Sequence, residues 1–196
     1  MAAAFCITFC LASAVLVMLG PGERGIDKAL QITGRVSFLL FWPAYAGATV
    51  SELFGPGFRL LKSRTREFGL AFASAQLVHL GLVTWLCAIG ASPSLSTFIL
   101  FGIAVFWTYL LAALSFGRLQ HALGPGTWRL IRFVGMNYIL FVFITDFWRE
   151  PTSMDLKHIV GYLPFLTLAL SAPLLRVGAF ALQIRTTGRA SPYQTP

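Results

Sequence analysis

The residue in this sequence best placed to do chemistry is His79, which lies in a long segment without charged side chains. Gln76 precedes it by three positions, so the two side chains would share one face of a helix. Burying an imidazole among apolar groups costs free energy unless its nitrogens have a hydrogen-bond partner or a ligand. His79 is therefore the first candidate for a functional residue, with Gln76 beside it.

The segment that positions His79 runs from Phe68 to Gly117 and contains no Asp, Glu, Lys or Arg. An apolar helix needs roughly 20 residues to cross a bilayer, so this segment is long enough for two crossings and a turn. The turn is marked at 90–94 by the sequence Gly-Ala-Ser-Pro-Ser, whose residues break or cap helices. The pattern predicts membrane spans at about 69–89 and 95–116.

The composition of the whole chain indicates a membrane protein. Hydrophobic residues make up 57% of it and charged residues only 11%, whereas soluble proteins average roughly 25% charged. The net charge of +8 does not indicate nucleic-acid binding, because the cations lie in short loops between apolar segments and form no basic domain. The expected partner is the lipid bilayer and not nucleic acid. No loop is long enough to hold a soluble catalytic domain.

The predicted fold class is all-α, an integral membrane six-helix bundle formed by a single domain at 1–183. Residues 23–31 are expected to form a short charged loop, and residues 184–196, rich in Thr, Gly, Ser and Pro, a disordered cytoplasmic tail. A cleaved signal sequence is the alternative for the first span, although residues 1–5 supply no basic side chain. The predicted spans are about 2–19, 36–54, 69–89, 95–116, 130–148 and 158–183.

The distribution of Lys and Arg predicts the orientation, since cations favour the cytoplasmic side of a membrane. Six spans place nine cations on the side of the termini and five on the other side. We therefore expect a multi-pass inner-membrane protein with both termini in the cytoplasm. The nine are Arg59, Lys62, Arg64, Arg66, Arg118, Arg129, Arg132, Arg185 and Arg189, and the five are Arg24, Lys28, Arg35, Arg149 and Lys157.

Several landmarks follow one another in a recognisable order. Thr33-Gly34 opens the second span, a basic stretch from Arg64 to Leu70 precedes the third, His79 comes ten residues after Gly69, and Trp128-Arg129 opens the fifth. This order resembles the ferric reductase-like transmembrane domain family, which includes the membrane domains of ferric reductases and NADPH oxidases and haem-binding membrane subunits of bacterial reductases. The resemblance covers about residues 31–147.

The resemblance implies a haem b electron carrier that receives electrons from a cytosolic flavoprotein reductase. In the family, histidines on the third and fifth spans hold the haem, and His79 matches the position on the third span. A neutral imidazole is a good iron ligand. The further candidates for contacts with haem propionates or for lining its pocket are Arg64, Arg66, Gln76, Arg132, Met136 and Asn137, of which Met136 could also offer a thioether to iron.

The chain departs from the family on the fifth span, where Arg132 and Thr145 occupy the positions of the two histidines. Three functions therefore stay open. The first is haem b electron transfer across the membrane. The second is a non-haem membrane subunit or assembly partner of another membrane protein, in which His79 only bonds to another helix, with Asn137 or Tyr138 as the expected partner. The third is a small-solute transporter, whose path would be lined by Glu52, Asp146 and Arg176.

Overall fold

The computed structural model describes residues 1–115, 124–149 and 156–189, and all regular structure within them is helical. The predicted all-α class is thereby confirmed for this part of the chain. A single 3₁₀ turn, Pro56–Phe58, and a short helix link the second and third long helices. The α-helices are α1 (Ala2–Leu19), α2 (Glu23–Phe54), α3 (Arg59–Ser63), α4 (Thr65–Ala88), α5 (Leu95–Ser115), α6 (Pro125–Arg149) and α7 (Leu156–Arg189).

Five of these helices are long and apolar enough to cross a bilayer, as expected for a multi-pass membrane protein. They correspond to five of the six predicted spans. The second predicted span, 36–54, lies in α2, which is not among the five. The qualifying segments are Ala2–Leu19, Thr65–Ala88, Leu95–Ser115, Pro125–Trp148 and Gly161–Leu182.

Helix α2 is the centre of the bundle and packs against α1, α4 and α7. It begins at Glu23, so the prediction of a loop at 23–31 was wrong. The segment contains no proline, and its apolar residues Ile26 and Ala29 are fully buried against α1 and α4. Charged side chains on the opposite, exposed face do not interrupt the helix, because they remain in contact with solvent or headgroups.

Two other boundaries differ from the prediction. Helix α6 begins at Pro125, because the fixed φ of proline suits the first position of a helix. Helix α7 continues to Arg189, so residues 184–189 are helical and not disordered. No proline interrupts the chain between Ile184 and Arg189. The remainder of the predicted tail, 190–196, lies outside the described residues.

An aromatic cluster fills the middle of the bundle between α2, α4 and α6. Its ring centroids are 5.2 Å apart for Phe38 and Phe143, 5.3 Å for Phe41 and Phe72, and 5.0 Å for Phe38 and Phe147. Edge-to-face contacts at such distances stabilise a core beyond the burial of the rings. These five phenylalanines, called the aromatic cluster below, separate the two ends of the bundle.

Candidate functional site

Two cavities open between the helices, one at each end of the bundle. The first, called the His79 cavity, has a volume of about 460 Å³ and is lined by residues of α2, α4, α5, α6 and α7. The second, called the arginine cavity, has a volume of about 150 Å³ and is lined by Arg66 and Arg132 among others. Arg66 and His79 lie on the same helix, separated by roughly 20 Å of helical rise. The two cavities are therefore distinct sites.

His79 is held by a hydrogen bond to α2. Its Nδ1 atom lies 2.9 Å from Oγ1 of Thr33, and the Thr33 hydroxyl also lies 2.9 Å from the carbonyl of Ala29. A hydroxyl has one hydrogen, and when it is donated to Ala29 the oxygen can only accept from the ring. On this network we assign the proton to Nδ1, which leaves the lone pair of Nε2 available to a ligand.

The partner of His79 therefore differs from the two residues that the sequence suggested. The Asn137 side chain accepts a hydrogen bond from the Tyr45 hydroxyl at 2.8 Å and donates one to the Phe133 carbonyl at 2.7 Å. The Tyr138 hydroxyl donates to the Leu100 carbonyl at 3.2 Å. Both belong to α6, whereas α4 packs chiefly against α2, so the nearest hydroxyl to His79 comes from α2.

Two buried polar atoms of the His79 cavity have no hydrogen-bond partner within the described part of the chain. They are Oε1 of Gln76 and Nε of Arg35. The Arg35 guanidinium stacks over the Tyr162 ring, with its carbon 4.6 Å from the ring centroid. A buried acceptor and a buried donor without partners are costly. An acceptor group of a ligand would satisfy Nε of Arg35, and a donor such as a water molecule would satisfy Oε1 of Gln76.

The opposite wall of the His79 cavity is apolar and comes from α5. Phe98, Phe101 and Val105 line it, and Gly102 lies among them. A Cβ atom added at Gly102 would meet nothing within 4 Å. The cavity therefore combines a polar side on α2 and α4 with a broad apolar side, as ligand pockets of 300–1,000 Å³ commonly do.

The structure brings only some of the predicted site residues together. His79 and Gln76 line the same cavity. Arg66, Arg132 and Met136 line the arginine cavity at the other end. Arg64 is exposed at the start of α4, and its side chain lines neither of the two cavities. A group bound at His79 is therefore out of reach of these arginines, because the rise of α4 separates them.

Three residues of the His79 cavity were missed as site residues by sequence reasoning. Asp27, Gln31 and Arg35 follow one another at intervals of four, which places them on one face of α2. That spacing would have indicated a polar helix face if residues 23–31 had been interpreted as helical. The sequence indicated Thr33 only as one of the residues on which the family resemblance rests, and not as a partner of His79.

The residues suggested for a transport path do not share one. Glu52 forms an exposed ion pair with Lys62 at 3.3 Å. Arg176 donates to the Tyr45 carbonyl at 3.2 Å and lies over its ring at 3.7 Å, while Asp146 lines the His79 cavity. The aromatic cluster fills the space between the two ends, and Phe38 and Phe41 are at most 1% exposed.

A haem iron in the His79 cavity would find one candidate ligand, the imidazole of His79. Among the described residues that line the cavity, His79 is the one side chain with an imidazole or thioether, and no three His, Cys, Asp or Glu side chains of the described chain cluster as metal ligands. Arg35 lines the same cavity and would supply a cation to a carboxylate group of a ligand. Comparisons with protein-family models, with curated proteins and with solved structures find no match to this chain.

Proposed function

We propose that this chain is a multi-pass inner-membrane electron carrier that binds one haem b through His79. The observation that carries the proposal is the hydrogen bond between Nδ1 of His79 and Oγ1 of Thr33. Histidines that ligate metals commonly donate the other ring N–H to a protein oxygen, which fixes the tautomer and the ring orientation. His79 has this arrangement and lines a cavity of about 460 Å³.

The other residues of the cavity have separate roles in this proposal. Arg35 would hold a propionate, which would give its Nε the acceptor that it lacks within the described chain. Phe98 and Phe101 would contact the apolar part of the haem and exclude water. When bound, haem supplies a one-electron redox centre whose potential depends on its axial ligand and its surroundings.

The membrane arrangement that goes with this function has six spans, with α2 as the second. Its middle contains buried aromatic and small residues, including Phe38, Phe41 and Ala46. A helix surrounded by α1, α4 and α7 needs less apolar surface than one that faces lipid. Six crossings put both termini on the same side, and the cation distribution makes that side the cytoplasm. The basic segment after α2 would there face a cytosolic flavoprotein reductase.

A second candidate is a non-haem membrane subunit or assembly partner of another membrane protein. It is favoured by the positions of the two residues that replace the family's histidines. Arg132 lies at the arginine cavity, and the Thr145 hydroxyl bonds to the Phe141 carbonyl of its own helix at 2.8 Å. The Thr33–His79 bond would then be structural, stabilising the bundle by about 0.5–2 kcal/mol. Small-solute transport is a third and weaker candidate, since its three residues do not line one path.

The absorption spectrum of the purified protein separates the first two candidates. The protein is expressed in cells supplied with haem precursor, extracted in detergent, and measured oxidised and after reduction with dithionite. We expect a Soret band that is lost in His79→Ala and kept in the matched control His121→Ala. A Soret band of equal intensity in His79→Ala would contradict the assignment. A colourless protein that co-purifies with a stable membrane partner would favour the second candidate.

A further inference from the structure

The charged side chains that line the arginine cavity in the described part of the chain are all positive. Arg66 comes from the first turn of α4 and Arg132 from the second turn of α6, and both line the cavity. No carboxylate is among its described lining residues. Arg176 of α7 adds a third positive charge, close enough to act on Arg132. Like charges in one partly apolar site repel each other unless an anion joins them.

Arg66 uses one of its N–H donors within the described part of the chain. Its Nη2 atom donates to the carbonyl of Ser115 at 2.6 Å. Ser115 is the last residue of α5, so its carbonyl carries the partial negative charge of a helix C-terminus. Arginine has five N–H donors, and the other four have no partner among the described residues, so they can bind an anion in the cavity.

Arg132 has no acidic partner within the described part of the chain. It shares the cavity with the indole of Trp128, one turn earlier on α6. Tryptophan is typical of the depth where lipid headgroups meet hydrocarbon. Trp128 therefore favours a position of this cavity near the membrane surface, where lipid phosphates lie.

The remaining wall of the arginine cavity is mainly apolar, with Thr65, Thr108 and Ser115 as its polar members. Leu70, Leu111 and Ile139 lie beyond the arginines, towards the aromatic cluster. A free phosphate ion gains no favourable contact with apolar side chains. An acyl chain attached to a phosphate would bury them. A volume of about 150 Å³ holds a headgroup phosphate but is much smaller than the His79 cavity.

We propose that the arginine cavity binds the phosphate group of an anionic phospholipid between Arg66 and Arg132. Basic pockets between membrane helices bind such headgroups through the same chemistry. The site lies roughly 20 Å along α4 from His79 and does not depend on what binds there.

The test is a lipid titration of the full-length, delipidated protein in detergent, followed by native mass spectrometry. The probes are phosphatidylglycerol and phosphatidylcholine with identical acyl chains, and inorganic phosphate. We expect tighter binding of phosphatidylglycerol than of phosphatidylcholine. Arg132→Gln should weaken the first by about fivefold, since each basic residue near a membrane surface contributes about that factor. The control Arg129→Gln, an exposed cation of the same helix that does not line the cavity, should leave it unchanged.

Three results would overturn the proposal. Equal affinity for the two lipids would exclude a site selective for anionic lipid. An equal loss in Arg132→Gln and Arg129→Gln would point to diffuse surface charge. Displacement of phosphatidylglycerol by millimolar inorganic phosphate would identify a free-phosphate site. Arg66→Gln serves as the second variant if Arg132→Gln loses its helical content by circular dichroism, and it should weaken phosphatidylglycerol binding by a similar factor.

Discussion

At the scale of single residues, Thr33 decides what His79 can do. The sequence identified His79, because an imidazole in a segment free of charged residues needs a partner. It did not identify the partner, because hydropathy and spacing along one helix carry no information about which helix lies opposite. The Thr33 hydroxyl, bonded to both His79 and its own helix, makes Nε2 the nitrogen that is open to a ligand.

Thr33→Val tests this arrangement. Valine has nearly the same shape but cannot accept from Nδ1, so the ring loses its fixed tautomer and orientation. We expect the affinity of the protein for haem to fall by about 10- to 100-fold, the usual effect of removing such a supporting bond. Affinity is measured by titrating haem into the apoprotein and following the Soret absorbance.

Thr8→Val is the matched control for this variant. Thr8 is also fully buried and also bonds the carbonyl four residues earlier, at 2.8 Å, but it belongs to α1 and contacts no histidine. Its replacement should leave haem affinity unchanged. Equal losses in the two variants would show that a general loosening of the bundle, and not the His79 bond, is responsible.

At the scale of elements, α5 decides the shape of the His79 cavity. Its sequence predicted a membrane span but did not predict that one face of the helix lines a cavity. Phe98, Phe101 and Val105 line the cavity around Gly102, where no neighbouring atom would meet a side chain. The open volume follows from how α5 packs against α4 and α6, which depends on residues distant in sequence.

Gly102→Leu should fill part of this cavity, since a Cβ atom at this position meets no neighbouring atom within 4 Å. Because overfilling an occupied site costs about 1–3 kcal/mol, haem affinity should fall by at least fivefold. Gly81→Leu is the control, since Gly81 also has open space around it but does not line the cavity. Haem titration measures both variants. Undiminished affinity in Gly102→Leu would show that the ligand does not occupy this cavity.

At the scale of the whole molecule, the aromatic cluster divides the bundle into two ends with different chemistry. The His79 cavity contains carboxylates, amides and an imidazole, and the arginine cavity contains arginines without carboxylates among its described lining. Phe38, Phe41 and Phe147 are at most 2% exposed. A continuous solvated path between the ends is therefore blocked in this conformation.

The number of spans has a direct test at this scale. If α2 crosses the membrane, residues 20–22 and the end of α7 lie on opposite sides, and the cation distribution puts the latter in the cytoplasm. Alkaline phosphatase fused after Gly22 should be active, and the same enzyme fused after Gln183 should be inactive. Activity after Gln183 would contradict either the six-span count or the orientation, and fluorescent-protein fusions at the same two positions provide the complementary readout.

By itself, the sequence determined the properties that depend on neighbouring residues. The helical class and five of the long apolar helices followed from hydropathy and from the turn at 90–94, since both act within one segment. His79 and Gln76 were placed on one face for the same reason. The early start of α2 was missed because charged residues suggested a loop, although they only occupy its exposed face.

Only the tertiary structure decided which side chains meet. It paired His79 with Thr33 across two helices and placed Arg66 and Arg132 in a separate cavity. It also left Asn137 bonded to Tyr45. Such pairings depend on the rotation and order of the packed helices, which are set by contacts between residues far apart in the chain. The hydropathy pattern of a single segment does not predict how the helices are rotated or ordered in the bundle.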